Sequence, residues 1–510
     1  MVTRFMRMVR AMVRTASIHW KGAVLKALAP GVFAFAVALG LPARAFADAG
    51  APRPNIIFIL ADDMGYGDAG FMGQRWIATP HIDRLAREGV VFTHHYAVAP
   101  MCTPSRCGLM TGMHNGHCTL PNNGPSDETL RPEDVTVAEV LREAGYATHF
   151  IGKWGLGGAT PSPDFDGTGE LIPDARHGLP TQKGFDTSYG FLDQLTAHKY
   201  FPRYIWRNES KERIPGNNTE NYNERTVYIH DLFTKEALDI VQSADGSKPF
   251  YLQLSYTLPH RETKFPGSPL PADQAGSESY NPYPEDHWVG LEPAPTPADK
   301  AYAAMIAYMD RDIGRLLDAV DGNPAIAGNT LFVFSSDNGP QFTDGHAAEM
   351  FNSSGGLRGK KFFLYEGGIR EPFAARWKGV IEPDRTSGHV SYFADFLPTA
   401  AELAGAPVPT GIDGISYGPT LTGQGRQREH DYLVFTQPGA TDRPVQAVRK
   451  KRDNQGRIWK LLVMPDGSVE LYDLASDPVE SKNVALEHPD TVAELKGVLE
   501  RECTGPKPTA

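Results

Sequence analysis

Asn55-Ile-Ile-Phe-Ile-Leu60, followed at once by Ala61-Asp62-Asp63, decides the fold class. The run is short, Ile-rich and almost unbroken in its apolarity, which suits a strand buried on both faces of a parallel sheet. Three runs of the same kind lie at Tyr146 to Trp154 (YATHFIGKW), Pro249 to Thr257 (PFYLQLSYT) and Thr330 to Ser336 (TLFVFSS), each preceded by a helix-like segment. The clearest helix is Ala301 to Val320, where Met305, Ile306, Met309, Ile313, Leu316, Leu317 and Val320 recur at three- and four-residue spacing. Ile82 to Glu88 and Val135 to Ala144 read as crossover helices. Strands and helices that alternate in this way predict a βαβ-type α/β sheet.

Ligands of open α/β sheets bind beyond the carboxyl ends of the strands, so the residues that close each strand are the first functional candidates. They are Asp62 and Asp63 after the first run, Lys153 at the end of the second, His260 after the third, and Asp337 and Asn338 after the fourth. Three aspartates and an amide oxygen at one sheet edge repel one another unless a cation sits among them. Hard oxygen donors suit calcium or magnesium, with Ca²⁺ the first choice. Asp-Asp-Met-Gly or Ser-Asp-Asn-Gly alone would serve equally well as a turn; their shared position after buried strands is what points to metal.

A third element is Cys102-Thr103-Pro104-Ser105-Arg106, continued by Cys107-Gly108-Leu109-Met110-Thr111-Gly112. Thr103 reads as an N-cap and Pro104 suits a first helical turn. Residue 102 is therefore expected at a helix N-terminus, where backbone N–H groups and the dipole favour an anion, with Arg106 one turn on.

Between roughly Thr160 and Asn223, and again from Phe265 to Pro297, Gly, Pro, Asn and aromatics occur without periodicity, which predicts long surface insertions. From about Arg426 the pattern changes to short strands at Tyr432 to Thr436, Val445 to Arg449, Trp459 to Met464 and Val469 to Leu474, then a helix near Thr491 to Glu500. The expected organisation is residues 1–47 as an export signal, 48–425 as the main α/β domain, and 426–510 as a small C-terminal subdomain of antiparallel strands and a helix.

The 510 residues, 41% hydrophobic and 22% charged, are ordinary globular usage and exclude fibrous and disordered classes. Residues 1 to 47 hold seven basic residues and no acid, which leaves the remainder at −18 against −11 for the whole chain. So acidic a body is a poor partner for nucleic acid or an anionic membrane. The basic stretch runs into the apolar segment Leu28 to Leu41 and then Ala43-Arg44-Ala45 and Ala45-Phe46-Ala47, the layout of a cleavable export signal too short to span a bilayer. A periplasmic or secreted protein follows, with no membrane contact after cleavage. Four cysteines are too few for a disulfide scaffold and lack zinc-site spacing, so Cys107, Cys118 and Cys503 read as structural, with a Cys107 to Cys118 pairing left open.

Cys102, Pro104, Arg106, Thr111 and Gly112 match the Cys-x-Pro-x-Arg and Thr-Gly signature of the formylglycine-dependent (type I) sulfatases, and the chain resembles that family. Ala61 to Asp68 (ADDMGYGD), Gly152-Lys153-Trp154, Pro259-His260, Ser336 to Gly339 (SDNG), Leu357 to Lys361 (LRGKK) with Glu366-Gly367-Gly368, and Leu471 to Leu474 (LYDL) look like family blocks in family order, so the likeness covers nearly the whole chain. It implies an alkaline-phosphatase-like α/β fold, with a large sheet flanked by helices, and an enzyme that hydrolyses sulfate monoesters. It also implies that a formylglycine-generating enzyme oxidises Cys102 to formylglycine, whose hydrate is nucleophile and metal ligand at once. Asp62, Asp63, Asp337, Asn338 and modified Cys102 would then hold Ca²⁺, and Arg106 would support the attacking hydroxyl. By the same resemblance Lys153 and Lys361 neutralise sulfate oxygens, Lys361 or His260 protonates the leaving alcohol, and the second diol hydroxyl expels sulfate. Lys361 is preferred to Lys360 by register against Tyr365-Glu366-Gly367-Gly368.

One position departs from the family: Gly155 stands where many members have a histidine that takes the proton for sulfate release. His198 and His346 are the candidates to replace it. The aromatic run Tyr200 to Trp206 could stack on a sugar or pack in the core. The insertions and export signal favour a carbohydrate sulfate as substrate. Two other readings stand beside the sulfatase: a phosphodiesterase or phosphonate monoester hydrolase of the same superfamily, and a non-catalytic protein that binds sulfated sugars with Cys102 unmodified.

Overall fold

The structure is a computed structural model and describes residues 53–123, 128–160, 169–218, 224–261, 283, 285–342 and 346–507. The expected export signal therefore lies outside the described residues, as does most of the expected insertion from Phe265 onward. Strand β1 (Asn55–Asp62) is buried along its whole length. It lies inside an 11-stranded sheet with β2 (Val90–Tyr96), β3 (Ala147–Lys153), β4 (Thr187–Phe191), β5 (Tyr204–Arg207) and β6 (Ser210–Arg213). A small hairpin, β7 (Asn217–Asn218) and β8 (Glu224–Arg225), stands apart, and β9 (Phe250–Pro259), β10 (Thr330–Ser336), β11 (Arg370–Glu371), β12 (Phe373–Trp377) and β13 (Arg385–Tyr392) complete the sheet. The spatial order is β11-β2-β12-β10-β1-β9-β3-β4-β5-β6, with β13 paired to β2.

The five strands β10, β1, β9, β3 and β4 run parallel, so their carboxyl ends share one edge. The outer strands β12, β2, β5 and β6 are antiparallel to their inner neighbours or to one another, which makes the sheet mixed. Side chains alternate across the sheet, and β1 divides them cleanly. Ile56, Phe58 and Leu60 pack with Val137, Leu141, Phe396 and Leu397 on one side. Ile57, Ile59 and Ala61 pack with Leu85, Phe233, Ile306 and Ile313 on the other. Each such side chain contributes roughly 1.5–3 kcal/mol by full burial, so two helical layers clamp the central strands.

The longest helix, Pro297–Asp321, begins four residues before its apolar periodicity. A capping box between Thr296 and Asp299 and Pro297 at the first turn fix that start. The nucleophile-region helix, Cys102–Thr111, starts at Cys102 with Met101 as N-cap, not Thr103. Thr103 Oγ1 is used elsewhere, donating to Gly155 O at 3.0 Å.

The stretch expected to be surface insertion from Thr160 to Asn223 instead extends the sheet through β4, β5 and β6. These strands are only four or five residues long, too short for alternation to stand out, which is why periodicity missed them. The C-terminal strands β14 (Tyr432–Thr436), β15 (Gln446–Lys450), β16 (Trp459–Val463) and β17 (Val469–Asp473) form a separate antiparallel sheet. One face carries Val434, Val448, Leu461 and Leu471 against Leu495 and Leu499 of the Pro489–Glu502 helix. The other face presents Leu433, Phe435 and Leu462 to the main core. Among the described residues no helix is long and apolar enough to cross a membrane.

Candidate active site

The parallel topology brings the strand-closing residues together. Asp62 ends β1, Lys153 ends β3, His260 follows β9, and Asp337 with Asn338 follows β10, all buried. Asp63 sits in the left-handed region (φ 69°), a conformation that costs a non-glycine residue about 1 kcal/mol. Its N–H donates to Asp337 Oδ1 at 3.1 Å, which helps to hold the turn. Cys102, at the head of its helix, places Sγ 3.5 Å from Asp62 Oδ1, 3.9 Å from Asp63 Oδ1 and 3.5 Å from Lys361 Nζ.

Three cations interleave with the carboxylates. Lys153 Nζ donates to Asp62 Oδ2 at 2.7 Å, and Lys361 Nζ to Asp63 Oδ2 at 2.7 Å. Arg106 grips Asp337 Oδ2 with Nε (3.0 Å) and Nη2 (2.7 Å), while Nη1 reaches Lys153 O at 2.9 Å. Lys360 turns away and pairs with Glu349 at 2.9 Å. The balance is uneven. Burial pushes Asp62 up, but Lys153 and Arg106 more than offset it and hold it well below the carboxylate range. Burial and the neighbouring Asp62 push Asp337 up to about 6, although Arg106 opposes them. Glu371, buried nearby with both oxygens lacking a hydrogen-bond partner among the described residues, is driven well above its usual value by burial and then by Asp337 and Asp63.

Asp62, Asp63, Cys102 and Asp337 each offer one ligand atom, and these atoms lie within 4.8 Å of one another. Asn338 donates Nδ2–H to Asp63 Oδ1 at 2.7 Å, and its own Oδ1 is buried with no hydrogen-bond partner among the described residues. An oxygen-rich cage with an orphaned amide acceptor fits a hard divalent cation. The thiol itself is ill-suited to attack: burial pushes Cys102 up to about 12 against the pull of Lys153 and Lys361, so it carries almost no thiolate at neutral pH.

Two histidines close the other side. The rings of His198 and His260 stack with centroids 3.4 Å apart. His198 Nε2 lies 2.9 Å from Lys153 Nζ and 3.4 Å from Asp62 Oδ2. His260 Nδ1 faces Arg261 O at 2.8 Å, which assigns the proton to Nδ1 and leaves Nε2 towards Asp63 Oδ2 at 3.3 Å. Burial first, aided by nearby cations, keeps both rings neutral. A cavity of about 460 Å³ opens in front of them, lined by His198, His260, Lys361, Thr103, Gln194 and Arg261 among others.

The structure also locates the departures. Gly155 has φ +67°, a left-handed backbone that disfavours a side chain at 155, and a Cβ there would meet only the movable end of Gln194, at 2.9 Å. His346 is not brought to the cavity; its Nδ1 pairs with Asp299 at 2.8 Å and its ring stacks on Tyr302 at 4.1 Å. Tyr200 and Trp206 are buried, which makes them packing residues and not sugar platforms. Tyr200 instead donates its hydroxyl to Thr257 O and His260 O and so positions the histidine. Cys107, Cys118 and Cys503 are free thiols.

Support behind the Asp63 turn was invisible in one dimension. Asp68 Oδ2 accepts from Gly65 N (2.7 Å) and Tyr302 Oη (2.5 Å), and Tyr302 also reaches Asp63 O at 3.3 Å. Asp68 lies in the quoted ADDMGYGD block, but nothing marks Tyr302 within a long amphipathic helix.

Comparison with known proteins supplies the assignment. The Sulfatase family model matches residues 54–406, and the model for the C-terminal part of N-sulphoglucosamine sulphohydrolase matches 356–504. An N-acetylgalactosamine-6-O-sulfatase of Bacteroides thetaiotaomicron is 30% identical, over 88% of this chain and 93% of its own. The steryl-sulfatase of Rattus norvegicus is also 30% identical, over 80% of this chain and 76% of its own. Among solved structures, Ps i-CgsB superposes with a TM-score of 0.69 at 26% identity, covering 89% of this chain and 93% of that one, and it is also known with k-i-k-neocarrahexaose bound. The chain belongs to the sulfatase family and is a hydrolase of sulfuric ester bonds.

Proposed function

We propose that this sulfatase releases sulfate from a sulfated sugar in the periplasm or outside the cell, with residue 102 matured to formylglycine by a formylglycine-generating enzyme. The observation that carries the reading is the convergence of Asp62, Asp63, Asp337, Asn338 and Cys102 beneath Lys153 and Lys361 at one sheet edge. Ca²⁺ held by those five residues would neutralise the carboxylates and withdraw charge from a sulfate oxygen. The hydrated aldehyde would supply an oxygen nucleophile where the thiol supplies almost none.

The remaining work belongs to this chain's own side chains. Arg106 holds Asp337 with two nitrogens on one carboxylate oxygen, which keeps that carboxylate facing the cluster. Lys153 and Lys361 present ammonium groups on opposite carboxylates and flank the position of a bound sulfate. Lys361 Nζ, charged and at the cavity, stands where it can pass a proton to a leaving alcohol, while His260, neutral with its proton on Nδ1, presents a lone pair beside it. His198, neutral and in contact with Lys153, is the base available for sulfate release, since position 155 is a glycine and offers none. A sugar substrate is supported by the hydrogen-bonding side chains of Asn123, Asp193, Gln194 and Arg261 in the cavity lining and by the amino-sugar sulfatase among the relatives.

The test is sulfate release measured across sulfated monosaccharides, oligosaccharides, an aryl sulfate and matched phosphate esters, together with mass spectrometry of the tryptic peptide Glu88 to Arg106. The expected result is an aldehyde at residue 102 and the highest kcat/KM on a sugar sulfate. Faster turnover of phosphate esters would move the assignment to the phosphohydrolase reading. Active protein with a thiol at 102 would overturn the nucleophile.

A further inference from the structure

Away from the catalytic edge, a second group of ligating side chains gathers where the chain leaves the Cys102–Thr111 helix. That helix is capped by Gly112 in the left-handed region (φ 72°), and the turn beyond it carries His114 and His117, both buried. Their rings stack with centroids 4.0 Å apart. Asp413 belongs to a turn whose residues 413 and 414 donate backbone N–H groups to Gly112 O at 3.0 and 3.1 Å. Glu502 is the last residue of the Pro489–Glu502 helix. Its Oε2 lies 3.9 Å from His114 Nε2 and 3.9 Å from His117 Nε2, and His114, His117 and Glu502 each offer a ligand atom within 4.8 Å of the others.

Two features point to a ligand. His117 Nδ1 lies 2.9 Å from both oxygens of the Asp413 carboxylate, which assigns the ring proton to Nδ1 and the lone pair to Nε2. That Nε2 is nevertheless buried with no hydrogen-bond partner among the described residues. A histidine turned by a carboxylate, with its free lone pair facing a second carboxylate, is the usual support of a metal ligand. Glu502, moreover, sits in the last turn of its helix, where the dipole disfavours an anion, and its other oxygen is already occupied by the Tyr432 hydroxyl at 2.8 Å.

We propose that His114, His117 and Glu502, with Asp413 as orienting partner, form a second and structural metal site that takes Zn²⁺. Two imidazoles and one carboxylate are the donors zinc prefers, whereas the all-oxygen catalytic edge suits a harder ion. Zinc bonds of about 2.0–2.2 Å set tetrahedral donors roughly 3.4 Å apart, so the 3.9 Å gaps close by about half an ångström on binding. His114 ligates with its proton on Nδ1, which in the structure accepts the Gly116 N–H at 3.1 Å; that ring edge turns away from Gly116 when the metal enters. The metal would tie the turn behind the nucleophile helix to the Asp413 turn and to the C-terminal helix.

This site goes beyond sulfate hydrolysis and does not rest on it. The test uses the full chain carrying Cys102→Ala, which removes the thiol of the catalytic edge, dialysed against Zn²⁺ with Ca²⁺ in excess. Elemental analysis should find about one Zn²⁺ per chain, and Co²⁺ in its place should give the visible d–d absorption of a four-coordinate nitrogen and oxygen site. Both signals should fall about tenfold with His117→Gln and with Glu502→Gln. Should His117→Gln fail to fold, Glu502→Gln, at a helix end that is part-exposed, carries the comparison. No retained zinc in the folded parent, or equal retention in folded Glu502→Gln, overturns the site and leaves a cluster closed by water.

Discussion

Two of the buried groups of charges in this molecule are built to opposite ends. At the catalytic edge Asp62, Asp63 and Asp337 crowd together, Asn338 Oδ1 has no hydrogen-bond partner among the described residues, Asp63 takes a left-handed backbone and Asp337 is pushed up to about 6 by burial and by Asp62. At the seam between the two sheets Lys460 Nζ lies 2.9 Å from Glu366 Oε1 and 2.9 Å from Glu480 Oε1. Glu366 Oε2 accepts from the Tyr96 hydroxyl (2.8 Å), and its N–H donates to Glu480 Oε2 (2.7 Å). The same residue types serve both places. What separates them is arrangement: at the seam one ammonium lies between two acids, while at the edge ligand atoms of Asp62, Asp63, Asp337 and Cys102 converge within 4.8 Å of one another, a crowding that an added cation would relieve.

The largest effect that follows is at residue 102. Cys102→Ala removes the residue proposed to mature into the nucleophile but only a small buried thiol, so turnover should fall by at least about 10⁴-fold while the thermal midpoint moves little. Sulfate release and a thermal melt on one preparation check both halves. Normal turnover would sink the contrast at its functional end. The paired lysines sharpen it: Lys361→Ala, which strips Asp63 and residue 102 of their cation, should cost about 10²–10³-fold in kcat/KM. Lys360→Ala loses only a part-exposed pair with Glu349 and should change kcat/KM by less than about threefold. Equal losses would mean that the register of this segment is wrong.

The edge was largely legible before the fold was known, and the seam was not. Asp62, Asp63, Asp337 and Asn338 each follow a run of buried β-branched or aromatic residues, so a local pattern placed them on a common edge once the strands were taken as parallel. Lys361 came from family register alone; no local feature separates it from Lys360. Nothing near Lys460 or Glu480 tells that they meet Glu366, because that meeting depends on how one sheet lies against another. Of the strands that went unread, Phe373–Trp377 is only five residues long with Arg376 inside it, and Val90–Tyr96 carries His94 and His95 at positions that an apolar pattern would reject.

Breaking the seam should reverse the outcome seen at the edge. Lys460→Met removes the only charge shared by Glu366 and Glu480 and leaves two buried acids without it. About 3–5 kcal/mol of stability should be lost, with kcat/KM per folded molecule unchanged. Urea unfolding and active-site titration on the same sample decide it. A variant as stable as the parent would show the seam to be as incomplete as the edge.

The smallest expected effect concerns how the seam divides its single cation. Burial raises Glu366, but Lys460 and Arg370 outweigh it and hold the carboxyl at about 2. Burial likewise raises Glu480, and with Lys460 already committed to Glu366 it stays up at about 7. For Glu366 the folded value lies below the ordinary 4.5, so its stabilisation is present above that pH and fades as pH falls towards 2. For Glu480 the folded value lies above 4.5, so the folded state binds the extra proton. Its stabilisation is present below 4.5 and is lost as pH rises through about 7. Glu480→Gln mimics the protonated acid at every pH. It should therefore exceed the parent in stability at pH 8 by on the order of 1–3 kcal/mol and show no advantage at pH 4. Urea unfolding at the two pH values reads the difference directly, and an advantage independent of pH would show that Glu480 is ionised in the folded protein, with Lys460 shared equally between the two acids.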